Sequence, residues 1–326
     1  MTNPAGGAVS EEVKLTVVEP VVILNEPEGG TKLFGQALKL SVVASGSEPL
    51  VYQWYKDDKL LDGSHTESVI IESLELENAG IYRVRISNEA GGVMSADATV
   101  VVQQPISITK QPVDVRVIEG EKAVFKVEAN GTNPIQYEWR FNGDNLKDEN
   151  DSELRITDTS KDNEGVYQIV MSNPAGSVVS EEVKLTVVQP VVILEEPEGA
   201  TKLLGQAIKI SVAASGSEPL NYQWYKNDAL LPDYTDASLT FESLTLGDGG
   251  AYKVNISNEA GEVESAEVNI VVHQPISIIH EPEEARVIDG EEAVFNVEAA
   301  GTAPIKYEWL FNSKVLKGQH LSLIHI

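Results

Sequence analysis

The stretch that decides the fold runs from Gly35 to Tyr55 and reads GQALKLSVVASGSEPLVYQWY. Leu38, Leu40 and Val42 occupy every second position, and polar or small residues stand between most of them. This period of two places one set of side chains on the core face of a β-sheet and the other set toward water. The turn cluster SGSEP then separates this run from a second one that ends around Trp54. The stretch therefore predicts two β-strands joined by a turn.

The same pattern recurs along the chain at a constant interval. The tryptophans Trp54, Trp139, Trp224 and Trp309 are evenly spaced, and equivalent runs surround each of them. A longer period, equal to two tryptophan intervals, overlies the first, because residues 1–24 and 171–194 are identical at 20 of 24 positions. The chain is therefore an alternating array of two related domain types, which we call type A and type B.

The two periods predict the domain organisation. Residues 1–19 match the end of a type-B domain and hold too little apolar surface to fold alone, so we interpret them as a C-terminal remnant. Residues 321–326, LSLIHI, are interpreted as a non-native tail resembling a translated adaptor, the alternative being a divergent natural tail. The other predicted segments are type A at 20–104, type B at 105–189, type A at 190–274 and a truncated type B at 275–320.

A second motif makes the prediction specific. Residues 78–91 read NAGIYRVRISNEAG, in which Tyr82 stands two residues after a glycine at the start of an alternating run. Together with the strand pair around Trp54, this motif resembles the I-set-like immunoglobulin domain. The amino-acid sequence of the repeats most resembles disulfide-free immunoglobulin repeats of large bacterial secreted or surface proteins. The resemblance covers three domains and half of a fourth. It implies an all-β fold, a tandem array of immunoglobulin-like β-sandwiches that forms an elongated rod.

The resemblance also implies a set of core landmarks. The two cysteines of the family are replaced by aliphatic pairs at a constant spacing, such as Val42 and Val84. Closing a loop of that size with a disulfide is worth about 4 kcal/mol, and burying one branched side chain is worth roughly 1.5–3 kcal/mol. Good packing therefore offsets much of the loss, and folding becomes independent of redox conditions. The implied landmarks are Trp54, Trp139, Trp224, Trp309, Tyr82, Tyr167, Tyr252, Val42, Val84, Val127, Ile169, Val212 and Val254.

Short junctions connect the predicted domains. The last strand of the first domain runs through Gln103 and Gln104 into Pro105 with no Gly- or Ser-rich tether. Pro190 and Pro275 stand at the equivalent places, and proline restricts the backbone angle φ. The junctions are therefore predicted to be stiff, and the chain is predicted to be a monomeric rod.

Composition excludes several classes of function. The chain carries 24 Lys+Arg against 51 Asp+Glu, a formal net charge of -27, which argues against nucleic acid as a partner. It has no cysteine, so disulfides and thiolate metal sites are excluded. No apolar run approaches the length of a membrane span, and the first residues do not resemble a signal peptide. The authentic N-terminus is expected to lie upstream.

No constellation of catalytic residues is found, so we predict no enzyme activity and no cofactor. The five histidines stand at non-equivalent places in the repeats. The acids of 144–153, DNLKDENDSE, match a calcium loop at its first ligands but not at its glycine or its final glutamate. They are interpreted as solvated loop charge, with a weak divalent-cation site as the alternative. The same alternatives hold for Glu26 and Glu28, which the sequence places beside a junction.

The function predicted from these observations is a non-enzymatic structural or adhesive spacer within a large secreted or cell-surface protein. One alternative is a recognition module for protein or glycan ligands at the cell surface. Another is an intracellular disulfide-free scaffold, which would place the chain in the cytoplasm. A catalytic domain elsewhere in a longer protein is compatible with each of these hypotheses.

Overall fold

The computed structural model describes residues 1–326, and nearly all of its regular structure is β-strand. Helical structure is confined to 3-10 turns of three residues at Leu76–Asn78, Lys161–Asn163 and Leu246–Asp248. None of them has the length and hydropathy of a membrane-crossing helix. The all-β prediction is therefore confirmed.

The chain divides into two compact units whose boundary runs through the second domain. The first unit comprises Met1–Val115, Ala123–Ile156 and Gly165–Leu185. The second comprises Arg116–Lys122, Thr157–Glu164 and Thr186–Ile326.

The first unit begins with a small hairpin and continues with a complete sandwich. The hairpin pairs β1 (Thr2–Asn3) with β2 (Gly6–Gly7), and residues 1–17 are exposed. The strands of the sandwich are β3 (Val22–Asn25), β4 (Gly30–Leu33), β5 (Leu38–Ser41), β6 (Val43–Ser45), β7 (Val51–Lys56), β8 (Lys59–Leu60), β9 (Ser68–Ile71), β10 (Gly80–Asn88), β11 (Gly91–Met94) and β12 (Ala98–Gln103).

Two layers face each other in this sandwich. One layer pairs β3 with β6 and β5 with β9, and the other has the order β4-β12-β10-β7-β8, with β11 also paired to β10. The pairing of β4 with β12 is parallel, and the other pairs are antiparallel. The β7–β8 hairpin turns through Asp57 and Asp58, whose φ values are 47° and 62°. Positive φ at both central residues is typical of a type I′ turn, whose backbone twist matches the right-handed twist of the two strands.

The second and third domains repeat this plan. The second has β13 (Ser107–Lys110), β14 (Val115–Ile118), β15 (Ala123–Lys126), β16 (Glu128–Asn130), β17 (Gln136–Phe141), β18 (Asp144–Asn145), β19 (Glu153–Ile156), β20 (Gly165–Asn173), β21 (Gly176–Val179) and β22 (Val183–Val188). The third has β23 (Val192–Glu195), β24 (Ala200–Leu203), β25 (Ile208–Ser211), β26 (Ala213–Ser215), β27 (Asn221–Lys226), β28 (Ala229–Leu230), β29 (Ser238–Phe241), β30 (Gly250–Asn258), β31 (Gly261–Glu264) and β32 (Val268–His273). In each, the larger layer runs in the order of the first domain.

The last segment differs from the sequence-based expectation at its end. Its strands are β33 (Ser277–His280), β34 (Val294–Asn296), β35 (Glu298–Ala300), β36 (Leu310–Phe311), β37 (Lys314–Val315) and β38 (Leu323–His325). Residues 321–326, interpreted above as a non-native tail, contribute a strand, since β38 pairs with β34 and Ile324 is only 2% exposed. The physical reason is phase, because Ile324 takes the place in the type-B repeat that Leu154, the buried residue of β19, takes in the second domain.

Each complete sandwich encloses its own apolar core. Trp54, Trp139 and Trp224 are fully buried, whereas Trp309 of the last segment is only partly buried. The indole nitrogens of all four donate to a backbone carbonyl 12 residues further along the chain, at 2.9 Å. The burial thus leaves no indole donor unpaired.

The corner tyrosines tie the start of one long strand to the preceding turn. The hydroxyl groups of Tyr82 and Tyr252 donate to the carbonyls of Asn78 and Asp248, at 2.9 and 2.7 Å. Burial raises the pKa of Tyr82 above its usual value and raises the pKa of Tyr167 and of Tyr252 to about 12.

The first prediction concerns the residues that stand at the cysteine positions. Val42 is 2% exposed and shares a core with Val84, whereas the neighbouring Val43 is 48% exposed. Val42→Ala is expected to lower the free energy of unfolding of the first domain by about 2–3 kcal/mol, through lost burial and a cavity. Amide hydrogen exchange in this domain should therefore accelerate by roughly 30- to 150-fold. Val43→Ala is the control, and equal acceleration by both variants would contradict the assigned strand register.

The second prediction concerns alkaline pH. A tyrosine with a folded pKa of about 12 and an unfolded pKa near 10 keeps its proton longer in the folded state. Its contribution to stability is therefore complete below about pH 10 and is lost toward pH 12, by about 1.4 kcal/mol per pH unit. Tyr252→Phe should flatten this loss in the third domain, as followed by the urea midpoint at several pH values. If the stability of the variant decreased just as steeply with pH, the decrease would come from groups other than Tyr252.

Candidate functional site: the domain junctions

The contacts of Asp151, Glu153 and Glu26 are local. In the segment 144–153, the carbonyl of Asp151 accepts the indole hydrogen bond of Trp139, and the Glu153 carboxylate pairs with Arg155 at 2.7 Å. The Glu26 carboxylate accepts from the backbone N–H of Ala96 at 2.9 Å, within its own domain. No three acidic or histidine side chains converge in an arrangement that could hold a metal ion.

The histidines and surface aromatic residues lie apart from one another. His65 and His320 are exposed, and His280 and His325 pair with Glu298 and Glu292, respectively. Tyr55 is half-buried, because it lies on a central strand opposite Arg83. These side chains form no shared site.

The repeated arrangement of polar groups lies instead at the junctions. At the first junction, the carbonyl of Gln103 accepts from the N–H of Phe34 at 2.8 Å, so Gln103 belongs to the preceding domain. The next residue, Gln104, donates its N–H to the hydroxyl of Thr132 at 2.7 Å and accepts the N–H of Thr132 at 3.0 Å. Consecutive residues are thus held by different domains, and no linker residue is free.

The other two junctions are built in the same way. The carbonyl of Val188 accepts from Glu119 at 2.9 Å, and that of His273 accepts from Leu204 at 2.8 Å. The residues that follow, Gln189 and Gln274, donate to the hydroxyls of the next domain at 2.8 and 2.6 Å. Those hydroxyls belong to Ser217 and Thr302.

An asparagine of the following domain completes the first and second junctions. The side-chain amide of Asn258 donates to the carbonyls of Gln189 and Ser217, at 2.8 and 2.9 Å. Its oxygen accepts the N–H of Ala260 at 2.9 Å, so every polar atom of the side chain is used. Asn173 makes the same three bonds at the first junction, and Asn88 makes them with Glu19, Ser47 and Ala90 where the first domain begins. We call this set of backbone, hydroxyl and asparagine bonds the linker clamp.

A glycine lets the chain approach the clamp closely. Gly216 has a φ of 151°, and a Cβ at this position would lie 3.0 Å from the carbonyl oxygen of Pro190 and 3.2 Å from the amide nitrogen of Asn258. Gly46 has the equivalent conformation, with a φ of 148°. The positive φ and the close approach of neighbouring atoms both favour glycine at this place in the repeat.

The junction between the second and third domains carries an additional charge pair. The guanidinium of Arg116 donates from Nε to the two carboxylate oxygens of Glu259, at 2.7 and 3.0 Å, and Nη2 contacts the same carboxylate. These hydrogen bonds lower the pKa of Glu259 and raise the pKa of Arg116. Both side chains are half-exposed.

The sequence indicated the junctions but not the clamp. The turn cluster SGSEP and the stretch NAGIYRVRISNEAG indicate strands and their boundaries, and that interpretation assigns no role to their Ser and Asn side chains. Their recurrence at the same place in every complete domain, at Asn88, Asn173 and Asn258, was the available signal.

Comparison with family models covers the three complete domains. The immunoglobulin I-set domain matches residues 106–187 and 191–272, together about half of the chain, and a general immunoglobulin domain matches residues 35–102. The three-domain I-band fragment I67–I69 of titin superposes with a TM-score of 0.62 at 20% identity, covering 78% of this chain and 98% of the fragment. That likeness supports the fold alone.

Several animal proteins are similar in sequence over most of the chain. The muscle M-line assembly protein unc-89 of Caenorhabditis elegans is 28% identical over 94% of this chain, and neuroglian of Drosophila melanogaster is 24% identical over 85%. Mouse hemicentin-1 is 27% identical over 87%. The chain spans only 4%, 23% and 6% of these relatives, respectively.

These comparisons correct the expected bacterial likeness and support the expected immunoglobulin family. The predicted likeness to bacterial arrays is not supported, because the similar proteins are animal proteins. The absence of cysteine does not indicate a bacterial protein, because aliphatic replacement of the disulfide does not distinguish one group of organisms from another. The fold, the corner motifs and the matched residues agree on the family: this chain belongs to the immunoglobulin I-set domain family.

Proposed function

We propose that this chain is a non-enzymatic spacer segment, which sets the distance and direction between other parts of a longer tandem-immunoglobulin protein. The observation that carries the proposal is the linker clamp. At each of three junctions, the last residue bonded to one domain is followed directly by a residue bonded to the next. Bending is thereby confined to very few backbone dihedral angles, because the neighbouring peptide groups are already held.

Self-contained cores support the same proposal. Each complete domain buries its own tryptophan and its own aliphatic pair, so no domain needs a neighbour to complete its core. The cores contain no disulfide, so their stability does not change with the redox potential of the compartment. The net charge of -27 adds repulsion between neighbouring molecules and favours solubility.

The proposal has two forms that differ in the location of the chain. The first is a spacer of a secreted or cell-surface protein with protein partners. The second is a scaffold inside muscle or similar cells, and it is favoured by the likeness to a relative named as a muscle M-line assembly protein. A spacer role is common to both forms, and the absence of cysteine suits either location.

The third prediction tests the spacer by small-angle scattering. If the clamp determines the shape, the maximum dimension should exceed about 100 Å, since three and a half sandwiches of seven- to eight-residue strands add up to roughly 130 Å. It should also show no marked compaction between 0.1 M and 1 M salt, although the Debye length falls from about 10 Å to about 3 Å. A smaller dimension at both salt concentrations would contradict the spacer, and marked compaction at high salt would assign the shape to charge repulsion.

The fourth prediction tests the clamp itself. Asn173→Ala removes one donor each from the carbonyls of Gln104 and Thr132, although the Gln104 carbonyl keeps the N–H of Thr132. Losing these two hydrogen bonds costs about 1–3 kcal/mol. The amides of Gln104 and Thr132 should then exchange roughly 5- to 150-fold faster in nuclear magnetic resonance experiments. The amide of Val127, which bonds within the core, should be unaffected.

A matched control separates the clamp from general destabilisation. Asn150 is an exposed loop asparagine of the same domain, so Asn150→Ala should leave all of these exchange rates unchanged. If Asn173→Ala accelerates exchange at Val127 as much as at Thr132, the asparagine supports the whole domain and not the junction in particular.

A further inference from the structure

The second junction has a contact that the linker clamp does not require. Arg116 lies on β14, the strand of the second domain that pairs with β22, and Glu259 lies in the turn between β30 and β31 of the third domain. The two residues are 143 positions apart in the chain. Two parallel N–H···O bonds join them, which is the bidentate geometry that fixes orientation as well as distance.

This ion pair gives the junction a second point of attachment. The clamp holds the linker through Asn258, and the next residue along the chain, Glu259, reaches back to the body of the preceding domain. The clamp alone leaves rotation free about the few backbone dihedral angles that it does not hold. A second attachment at the side of the domain opposes this rotation, because any tilt of one domain must stretch or break the bidentate pair.

The repeat shows where such a pair can form. The positions equivalent to Arg116 are Thr31 and Thr201 in the type-A domains and Arg286 in the second type-B segment. The positions equivalent to Glu259 are Glu89 in the other type-A domain and Pro174 in the type-B domain. Arginine therefore belongs to type B and glutamate to type A.

The order of the two domain types then decides which junctions contain the arginine–glutamate ion pair. Where a type-B domain precedes a type-A domain, arginine faces glutamate, as the structure shows for Arg116 and Glu259. Where type A precedes type B, the equivalent residues are Thr31 and Pro174, which cannot form an ion pair. The first and second junctions share the linker clamp, so the charge pair is the feature that distinguishes them.

We propose that the Arg116–Glu259 pair locks the junction from type B to type A, whereas the junction from type A to type B retains more freedom. The array is then a series of two-domain B-A units connected by softer joints, in place of a uniform rod. This inference deepens the proposed spacer function and takes its biological meaning from it, but the difference between the two junctions can be measured without it.

Salt should act on only one kind of junction. The pair is half-exposed, and the neighbouring Glu164 adds a further attraction for Arg116. Exposed charge pairs are screened when the Debye length falls to about 3 Å at 1 M salt. The uncharged pair of positions, Thr31 and Pro174, has no such interaction to lose.

The fifth prediction compares the two junctions directly by electron spin resonance distance measurements. The chain has no cysteine, so label sites can be introduced one pair at a time. Ser41, Lys126 and Ser211 are exposed and occupy equivalent strand positions. Labels at 41 and 126 report the first junction, and labels at 126 and 211 report the second. In 0.1 M salt, the distance distribution across the second junction should be narrower, and 1 M salt should broaden only that one.

Charge reversal provides the decisive variants. Glu259→Arg or Arg116→Glu should broaden the distance distribution across the second junction. The fraction of molecules at the narrow, ion-paired distance should fall roughly two- to fivefold, the range expected for exposed ion pairs. The double variant with both charges exchanged should restore the narrow distribution. Thr31→Arg combined with Pro174→Glu should narrow the distribution across the first junction.

Three outcomes would overturn the inference: equal widths at both junctions, no broadening on charge reversal, or no recovery in the exchanged double variant. Unfolding midpoints of the variants should match the parent chain, because both side chains are half-exposed and outside the cores. A compact particle in the scattering experiment would contradict the spacer function but would leave this comparison of the two junctions valid.

Discussion

The constraint on which the architecture depends is the hydrogen bonding of two consecutive backbone residues to two different domains. At the first junction, the carbonyl of Gln103 is held by the preceding sandwich, and both backbone groups of Gln104 are held by the following one. A buried or half-buried peptide group must find a partner, and here each partner belongs to a folded domain. The consequence is that the junction is ordered once the domains on both sides are folded, and no separate linker remains to be ordered.

The domains can meet this constraint because each is stable by itself. Val42 and Val84 occupy the places where a disulfide would stand, and both are buried in one apolar cluster with Trp54. The hydroxyl of Tyr82 closes the corner beside them. A rigid core on each side of the junction is required for the clamp to restrict motion, since a bond to a mobile loop would transmit no orientation.

Charge acts on this architecture at two ranges. The net charge of -27 acts between molecules and is weakened by salt at distances beyond a Debye length. Arg116 and Glu259 act within one junction, where geometry decides which groups meet. The two domain types differ at these junction positions, so a repeat of two domains can encode two kinds of joint while the sandwich itself remains unchanged.

The sequence by itself determined the fold class, because alternation with period two and a domain repeat of constant length leave few solutions other than tandem sandwiches. It did not determine the junctions, since Asn258 and Gln189 are 69 residues apart and only the folded sheet brings them to 2.8 Å. The same holds for Arg116 and Glu259, which lie in different domains. Strand β38 is a further case, because only the pairing of Ile324 with strand β34 shows that these last residues form a strand. Local patterns record which face of a strand is apolar, and only tertiary structure decides which polar atoms meet across a junction.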